Sequence, residues 1–167
     1  MTDNQHEDGG AVDADGWGVE HPEYPDIVTV ACVNFEGAGS DGTSSKRYRL
    51  DKMICQVRDA VRQGAQLVVF PESALGALGS ACDDCSVDTG PSPEHQAWAE
   101  TVPGPSTDIF VDLAAELGTY IIFGIDEVAP DHPGCIHNSA VLVGPEGLVG
   151  TYRKLHLGHP LETRHYT

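Results

Sequence analysis

Two short, unbroken apolar runs flank one amphipathic stretch early in the chain, and that order leaves few folds open. The first run is Ile27-Val28-Thr29-Val30-Ala31-Cys32-Val33, rich in β-branched residues. Such a run suits a strand buried on both faces. After a loop at 37–42, Leu50, Met53, Ile54, Val57, Ala60 and Val61 recur at helical spacing, with Asp51, Lys52, Arg58, Asp59 and Arg62 off that stripe. Gly64 then stands where a helix end favours a left-handed residue. The second run, Leu67-Val68-Val69-Phe70, ends in Pro71-Glu72. Strand, helix, strand with a crossover of this length is a right-handed βαβ unit with parallel strands, so the expected class is α/β.

Downstream the pattern continues and then changes. Residues 73–105 are rich in Gly, Ser, Pro and Asp and read mostly as loop, with a short helix around 93–100. Ser106 is the expected N-cap of a helix carrying Ile109, Phe110, Leu113, Ala114 and Leu117, stopped by Gly118. Tyr120-Ile121-Ile122-Phe123-Gly124-Ile125 reads as a third buried strand. Residues 139–143 and 148–153 read as a hairpin across the four-residue connection Gly144-Pro145-Glu146-Gly147. Two convincing helices for five strands leave sheet surface uncovered, so the inventory is that of part of a layered sandwich.

Composition narrows the partners. A length of 167 residues fits one domain and can bury a core without disulfide or metal staples. With 26 Asp and Glu against nine Lys and Arg, the net charge is −17. A surface that negative repels phosphate backbones and anionic headgroups, so nucleic acid and membrane surfaces are disfavoured as partners. No apolar run approaches the roughly 20 residues of a membrane span. The lysines are few (Lys46, Lys52 and Lys154), and an acid-rich, Lys-poor surface suits concentrated salt, where screening removes self-repulsion. A salt-loving source is therefore expected. Residues 1–26 hold eight acids, no Lys or Arg and no periodicity, and are read as a disordered acidic tail before an ordered region at 27–167. That tail has no apolar core of a secretory signal, so a cytoplasmic location is expected. Five cysteines, an odd number, are expected to be reduced thiols. Cys32 and Cys55, in the first strand and on the helix stripe, are expected to be buried and structural.

Two residues stand out for chemistry. Glu72 follows an apolar strand, and ligands in open α/β sheets bind beyond the carboxyl ends of strands. A carboxylate beside apolar surface can serve as a general base; a solvated loop glutamate is the plain alternative. Lys154 leaves a strand in Tyr152-Arg153-Lys154-Leu155-His156-Leu157. There it could stabilise an oxyanion, or simply be a surface cation. Cys82-Asp83-Asp84-Cys85 has zinc or redox spacing, but His95, His132, Cys135 and His137 form no second tight pair, and acidic neighbours raise thiol pKa values. His156-x-x-His159 lacks the intervening Glu and the helix of a metal motif. No G-x-G-x-x-G, P-loop or G-x-S-x-G is present, so nucleotide and serine-hydrolase readings have no support.

Taken in order, several segments resemble one family. Ala65-Gln66-Leu67-Val68-Val69-Phe70-Pro71-Glu72 is similar to the first signature of the nitrilase, or carbon–nitrogen hydrolase, superfamily. So are Val102-Pro103-Gly104-Pro105-Ser106-Thr107 and the run from His137-Asn138-Ser139 through Gly144-Pro145-Glu146-Gly147 to Lys154. The resemblance covers residues 27–167. It implies a four-layer α-β-β-α sandwich and a Glu–Lys–Cys triad, with Glu72 as general base and Lys154 as oxyanion-stabilising lysine. Glu162, in Glu162-Thr163-Arg164-His165-Tyr166-Thr167, resembles the second glutamate that many members place after the lysine. No metal or organic cofactor is implied.

One part of the pattern is missing. In the family the nucleophilic Cys follows the lysine after a further strand, and residues 155–167 contain no cysteine; nothing in the motif makes Cys135 a substitute. The resemblance therefore implies the N-terminal portion of a carbon–nitrogen hydrolase domain, carrying base and lysine without the nucleophile and inactive alone. The implied substrate is a small amide or N-carbamoyl compound. A homo-oligomer, or pairing with a missing C-terminal half, is expected from the unfinished sandwich. A non-catalytic binding or assembly subunit, or one half of a split enzyme, is the alternative, and a metal or redox protein built on Cys82 and Cys85 is a third.

Overall fold

A computed structural model describes residues 28–34, 45–77, 91, 93–129, 132, 134–158, 162–164 and 166. The expected acidic tail, Cys82, Cys85 and His159 lie outside the described residues.

The βαβ arrangement forms as the sequence implies. Strand β1 (Val30–Cys32) leads to helix α1 (Lys46–Arg62) and then to β2 (Leu67–Val69). The Ser45 side chain accepts from the Tyr48 amide and satisfies one open N–H of the first turn of α1. Gly64 takes φ +94° just past the helix end, where a side chain would be strained. A short helix α2 (Pro93–Trp98) and helix α3 (Pro105–Leu117) precede β3 (Tyr120–Val128), β4 (Ile136–Gly144) and β5 (Gly147–Arg153), and a 3-10 turn spans Glu162–Arg164. The sheet order is β1-β2-β3-β4-β5. The first three strands are parallel and the last three antiparallel.

Strand alternation divides this sheet into two unlike faces. Val68, Ile121, Phe123, Ile125, Val141 and Val143 point to one side and are buried there under Leu50, Met53 and Val57 of α1 and Phe110, Leu113 and Ala114 of α3. The Phe110 and Phe123 rings sit 4.5 Å apart at their centroids. Each such buried large side chain contributes roughly 1.5–3 kcal/mol, so this layer is the main source of stability among the described residues. The other face carries Tyr120, Ile122, Gly124, Asp126, Asn138, Ala140 and Tyr152.

Four local expectations are corrected. The first strand is not buried on both faces: β1 is a three-residue edge strand, and Val30 is 46% exposed. Among the described residues it pairs with β2 alone, and the described helices cover only one side of it. Cys32 and Cys55 are exposed instead of buried. Cys55 lies midway between Met53 and Val57, which face the core four residues apart, so a helix period turns it outward. Ser106 is not the N-cap of α3; Gly104 is, with Pro105 at the first helical position. The Ser106 amide and hydroxyl both donate instead to the Glu100 carboxylate (2.8 and 2.9 Å), which caps the helix from outside. Finally, the hairpin connection is two residues, Pro145-Glu146, because Gly144 and Gly147 themselves pair. Gly144 lies beneath the Tyr120 ring, where a Cβ would come within 2.5 Å.

Candidate active site

Glu72 is placed by the way β2 stops. Phe70 donates to the Ile122 carbonyl (2.9 Å), one step beyond the strand. Pro71 has no N–H to continue the ladder, and the chain turns across β3. Ser73 adopts φ +53°, and Leu75 rejoins by donating to the Gly124 carbonyl (2.9 Å). The turn lies so close to β3 that a Cβ on Gly124 would stand 2.3 Å from the Ser73 nitrogen. Only glycine lets the Glu72–Ser73 backbone rest there.

Lys154 is placed by the opposite end of the sheet. Its amide donates to the Asn138 carbonyl (2.8 Å), which prolongs the β4–β5 ladder by one residue. Its Nζ donates to Glu72 Oε1 and to Glu162 Oε1, both at 2.7 Å. Asn138 Nδ2 donates to the same Glu72 oxygen at 2.6 Å. Glu162 enters from the 3-10 turn, where its Oε2 accepts from the Gly158 amide. The three residues singled out in the sequence thus meet at one ammonium. Hydrogen bonds to Glu162 first and Glu72 second hold the Lys154 ammonium above the usual lysine range, against a small opposing effect of desolvation.

The two carboxylates differ in exposure. Glu72 keeps 53% of its side chain exposed and opens onto a depression of about 320 Å³, while Glu162 keeps 15%. Phe70, Ile122, Ala140 and Tyr152 give the depression apolar walls, and Glu72, Lys154 and Asn138 supply its polar end. A mostly apolar hollow with a few convergent polar groups is suited to a small organic ligand. A carboxylate there can accept a proton, and an ammonium can stabilise negative charge on a carbonyl oxygen. Among the described residues no cysteine lines this hollow. Cys135 is half-buried in the loop before β4. No group of three or more His, Cys, Asp or Glu is arranged to hold a metal among the described residues.

Four side chains of this region are given no catalytic role by the sequence. Asn138 was visible there only as part of a motif, yet strand parity places it on the pocket side, opposite Ser139 and Val141. His95, weighed as a metal ligand, is fully buried and bonds Asp126 instead (2.9 Å). Asp126 and Tyr166 gave no signal at all, because both are recruited by contacts distant in sequence.

Residues 29–167 match the model of the carbon-nitrogen hydrolase family. The chain belongs to the carbon–nitrogen hydrolase family. This carbon–nitrogen hydrolase chain is 38% identical over 106 residues to a nitrilase of Pyrococcus abyssi, covering 60% of the chain and 34% of that protein. It is 32% identical over 113 residues to an omega-amidase of Xenopus laevis, covering 67% of the chain and 36% of that protein. The chain thus spans about a third of the length of these curated relatives. In structure it is similar to a carbon-nitrogen hydrolase from Helicobacter pylori G27, with a TM-score of 0.62 and 20% identity over 84% of this chain and 44% of that one. The fold is therefore the α/β fold that this structure shares, of which the described residues supply a sheet and its helical layer. No helix among the described residues is long and apolar enough to cross a membrane.

Proposed function

We propose that this chain supplies the base and the lysine of a thiol-dependent hydrolase that cleaves the C–N bond of small amides or N-carbamoyl compounds. The observation that carries the reading is the Lys154 Nζ held 2.7 Å from both Glu72 and Glu162 at the polar end of an apolar hollow. In this reading Glu72 accepts the proton of a cysteine thiol, and the thiolate attacks the substrate carbonyl carbon. The C–S bond forms while the carbonyl π pair moves to oxygen, where Lys154 stabilises it. Collapse breaks the C–N bond, and the amine or ammonia leaves with the proton held by Glu72. Water then attacks the thioester, giving its proton to Glu72, and the thiol is regenerated. Glu162 touches Lys154 from its shielded side and keeps the ammonium charged and aimed at the hollow. The attacking thiol comes from polypeptide other than residues 1–167, so these residues do not turn over substrate alone.

Ammonia release from short aliphatic amides tests the proposal. Residues 1–167 by themselves should release none. The catalytically complete protein should release ammonia and lose that activity on Glu72→Gln or Lys154→Ala. Turnover by residues 1–167 alone would contradict the placement of the nucleophile. Turnover indifferent to both substitutions would contradict the triad, and binding of amides without any turnover would favour a binding subunit.

A further inference from the structure

Both glutamates that grip Lys154 stand on short segments outside the sheet and the α-helices, Glu72 on a turn and Glu162 on a 3-10 turn, and both segments end on one buried side chain. Asp126 lies two residues after Gly124 on the pocket face of β3 and is fully buried. Its Oδ2 accepts from the Ala77 amide (2.7 Å) and bonds His95 Nε2 (2.9 Å). Its Oδ1 accepts from the Tyr166 hydroxyl (2.9 Å). That hydroxyl is also 3.3 Å from the Ser73 Oγ. The turn that follows Glu72 is therefore tied to Asp126 at both ends, directly at Ala77 and through Tyr166 at Ser73. Gly76, between them, lies so near that a Cβ would come within 2.5 Å of Asp126 Oδ1. Arg49, itself buried, donates to the Gly76 carbonyl (2.7 Å) from the other side.

The second arm arrives at the same place. Tyr166 donates its amide to the Glu162 carbonyl (3.0 Å), so it closes the 3-10 turn that presents Glu162 to the lysine. Its ring packs edge-on against His95, with centroids 5.4 Å apart. Tyr166 thus joins the Glu162 segment to the Glu72 segment across Asp126. Bonds to a buried carboxylate are shorter and stronger than neutral ones, and they hold their partners in one geometry.

We propose that Asp126, acting through Tyr166 and Ala77, is the positioning residue that sets the spacing of Glu72 and Glu162 around Lys154. It touches neither Lys154 nor the hollow. It fixes the two backbone segments whose carboxylates share the ammonium. Its catalytic consequence rests on the function proposed above, but the positioning itself is measurable without turnover.

The reactivity of the lysine amines reads it directly. The chain has three lysines, and Lys52 on α1 is the internal reference. Residues 1–167 are treated with a limiting amine-acylating reagent at neutral pH, and acylation at each lysine is quantified by mass spectrometry. In the wild type Lys154 should react slowly, because its amine is held between two carboxylates. Tyr166→Phe keeps the ring on His95 but cuts the tie to Ser73 and Asp126. It should raise the Lys154 to Lys52 ratio by about fivefold, the loss of roughly one hydrogen bond's worth of restraint, while circular dichroism is unchanged. Asp126→Ala should raise the ratio further, and Asp126→Asn, which keeps one acceptor oxygen, should fall between. If Asp126→Ala does not fold, Tyr166→Phe decides alone. A ratio unchanged in a folded Tyr166→Phe variant overturns the proposal. A raised ratio in a protein whose complete form never cleaves amides upholds the positioning role and instead refutes the hydrolase reading.

Discussion

Arg153 and Lys154 are neighbours in sequence and leave β5 towards opposite faces of the sheet. Arg153 turns to the helix-covered side and clasps Glu127 with Nη2 and Nε at 2.5 and 3.1 Å. The Ser139 hydroxyl donates to the same carboxylate at 2.6 Å, and 6% of the Glu127 side chain is exposed. Lys154 turns to the pocket side and shares one nitrogen between two carboxylates from different segments. The contrast is chemical. A planar guanidinium forks onto one carboxylate and fixes it, whereas an ammonium is a point charge that can be shared and redirected. The fork belongs to a finished, packed layer. The shared ammonium belongs to a face left open to a ligand. Phe123 and Gly124 repeat the division two strands over: one fills the core, and the other makes room for the Glu72 turn.

The sharpest way to break this division is to remove each side's key group. Lys154→Ala in the catalytically complete protein should lower kcat for amide hydrolysis by about 10²–10³-fold, the loss typical of one oxyanion donor. A kcat within a factor of a few of wild type would contradict the assignment. On the helix-covered face Phe123→Ala should cost about 3–5 kcal/mol in urea unfolding, because it empties a fully buried site beside Phe110. Gly124→Ala pushes a methyl into the Ser73 backbone and should cost about 1–3 kcal/mol, and it should also displace Glu72 from the ammonium. A stable Gly124→Ala variant with normal Lys154 reactivity would show that the turn is not held as described.

The two faces also part company in acid. Burial pushes the Glu127 carboxyl up, but the hydrogen bonds from Arg153 and Ser139 outweigh it and hold the group below the usual carboxylate range. A depressed carboxyl contributes stability above its unfolded pKa and loses it as pH falls through the folded value. Thermal unfolding from pH 6 down to pH 3 should therefore steepen in the wild type and flatten in Glu127→Gln. The Lys154 ammonium is shifted the other way, so its own titration lies outside that acid range and its contribution is lost as pH rises above the ordinary lysine range. The smallest expected effect follows: Lys154→Ala should change stability at neutral pH by less than about 1 kcal/mol, as partly exposed ion pairs do.

Much of this was legible in the sequence because it is local or periodic. The α1 stripe, the stops at Gly64 and Gly118, the β2 run ending in Pro71-Glu72 and the Lys154 strand end are each written in adjacent residues. Glu72 and Lys154 stand out by their strand-end positions, the resemblance gives them roles and adds Glu162, and the structure brings both carboxylates to the Lys154 nitrogen. The errors came from context. Cys55 sat beside an apolar stripe but just off its buried centre. Ser106 looked like a cap because the sequence cannot reveal that Glu100 reaches over to bond it. The edge position of β1 depends on what pairs beside it, not on the apolar character of its residues. Asp126 was invisible for the same reason: its partners at 77, 95 and 166 approach only in the folded chain.

Glu72 and Lys154 are proposed to serve a thiol that these 167 residues do not carry. The most direct measurement treats the catalytically complete protein with iodoacetamide, follows ammonia release from a short amide, and maps the alkylated cysteine whose labelling stops turnover. Inactivation should track one cysteine other than Cys32, Cys55, Cys82, Cys85 and Cys135, and this cysteine should be alkylated more slowly in Glu72→Gln. Inactivation that tracks one of those five, or turnover that survives complete alkylation, would contradict the proposal.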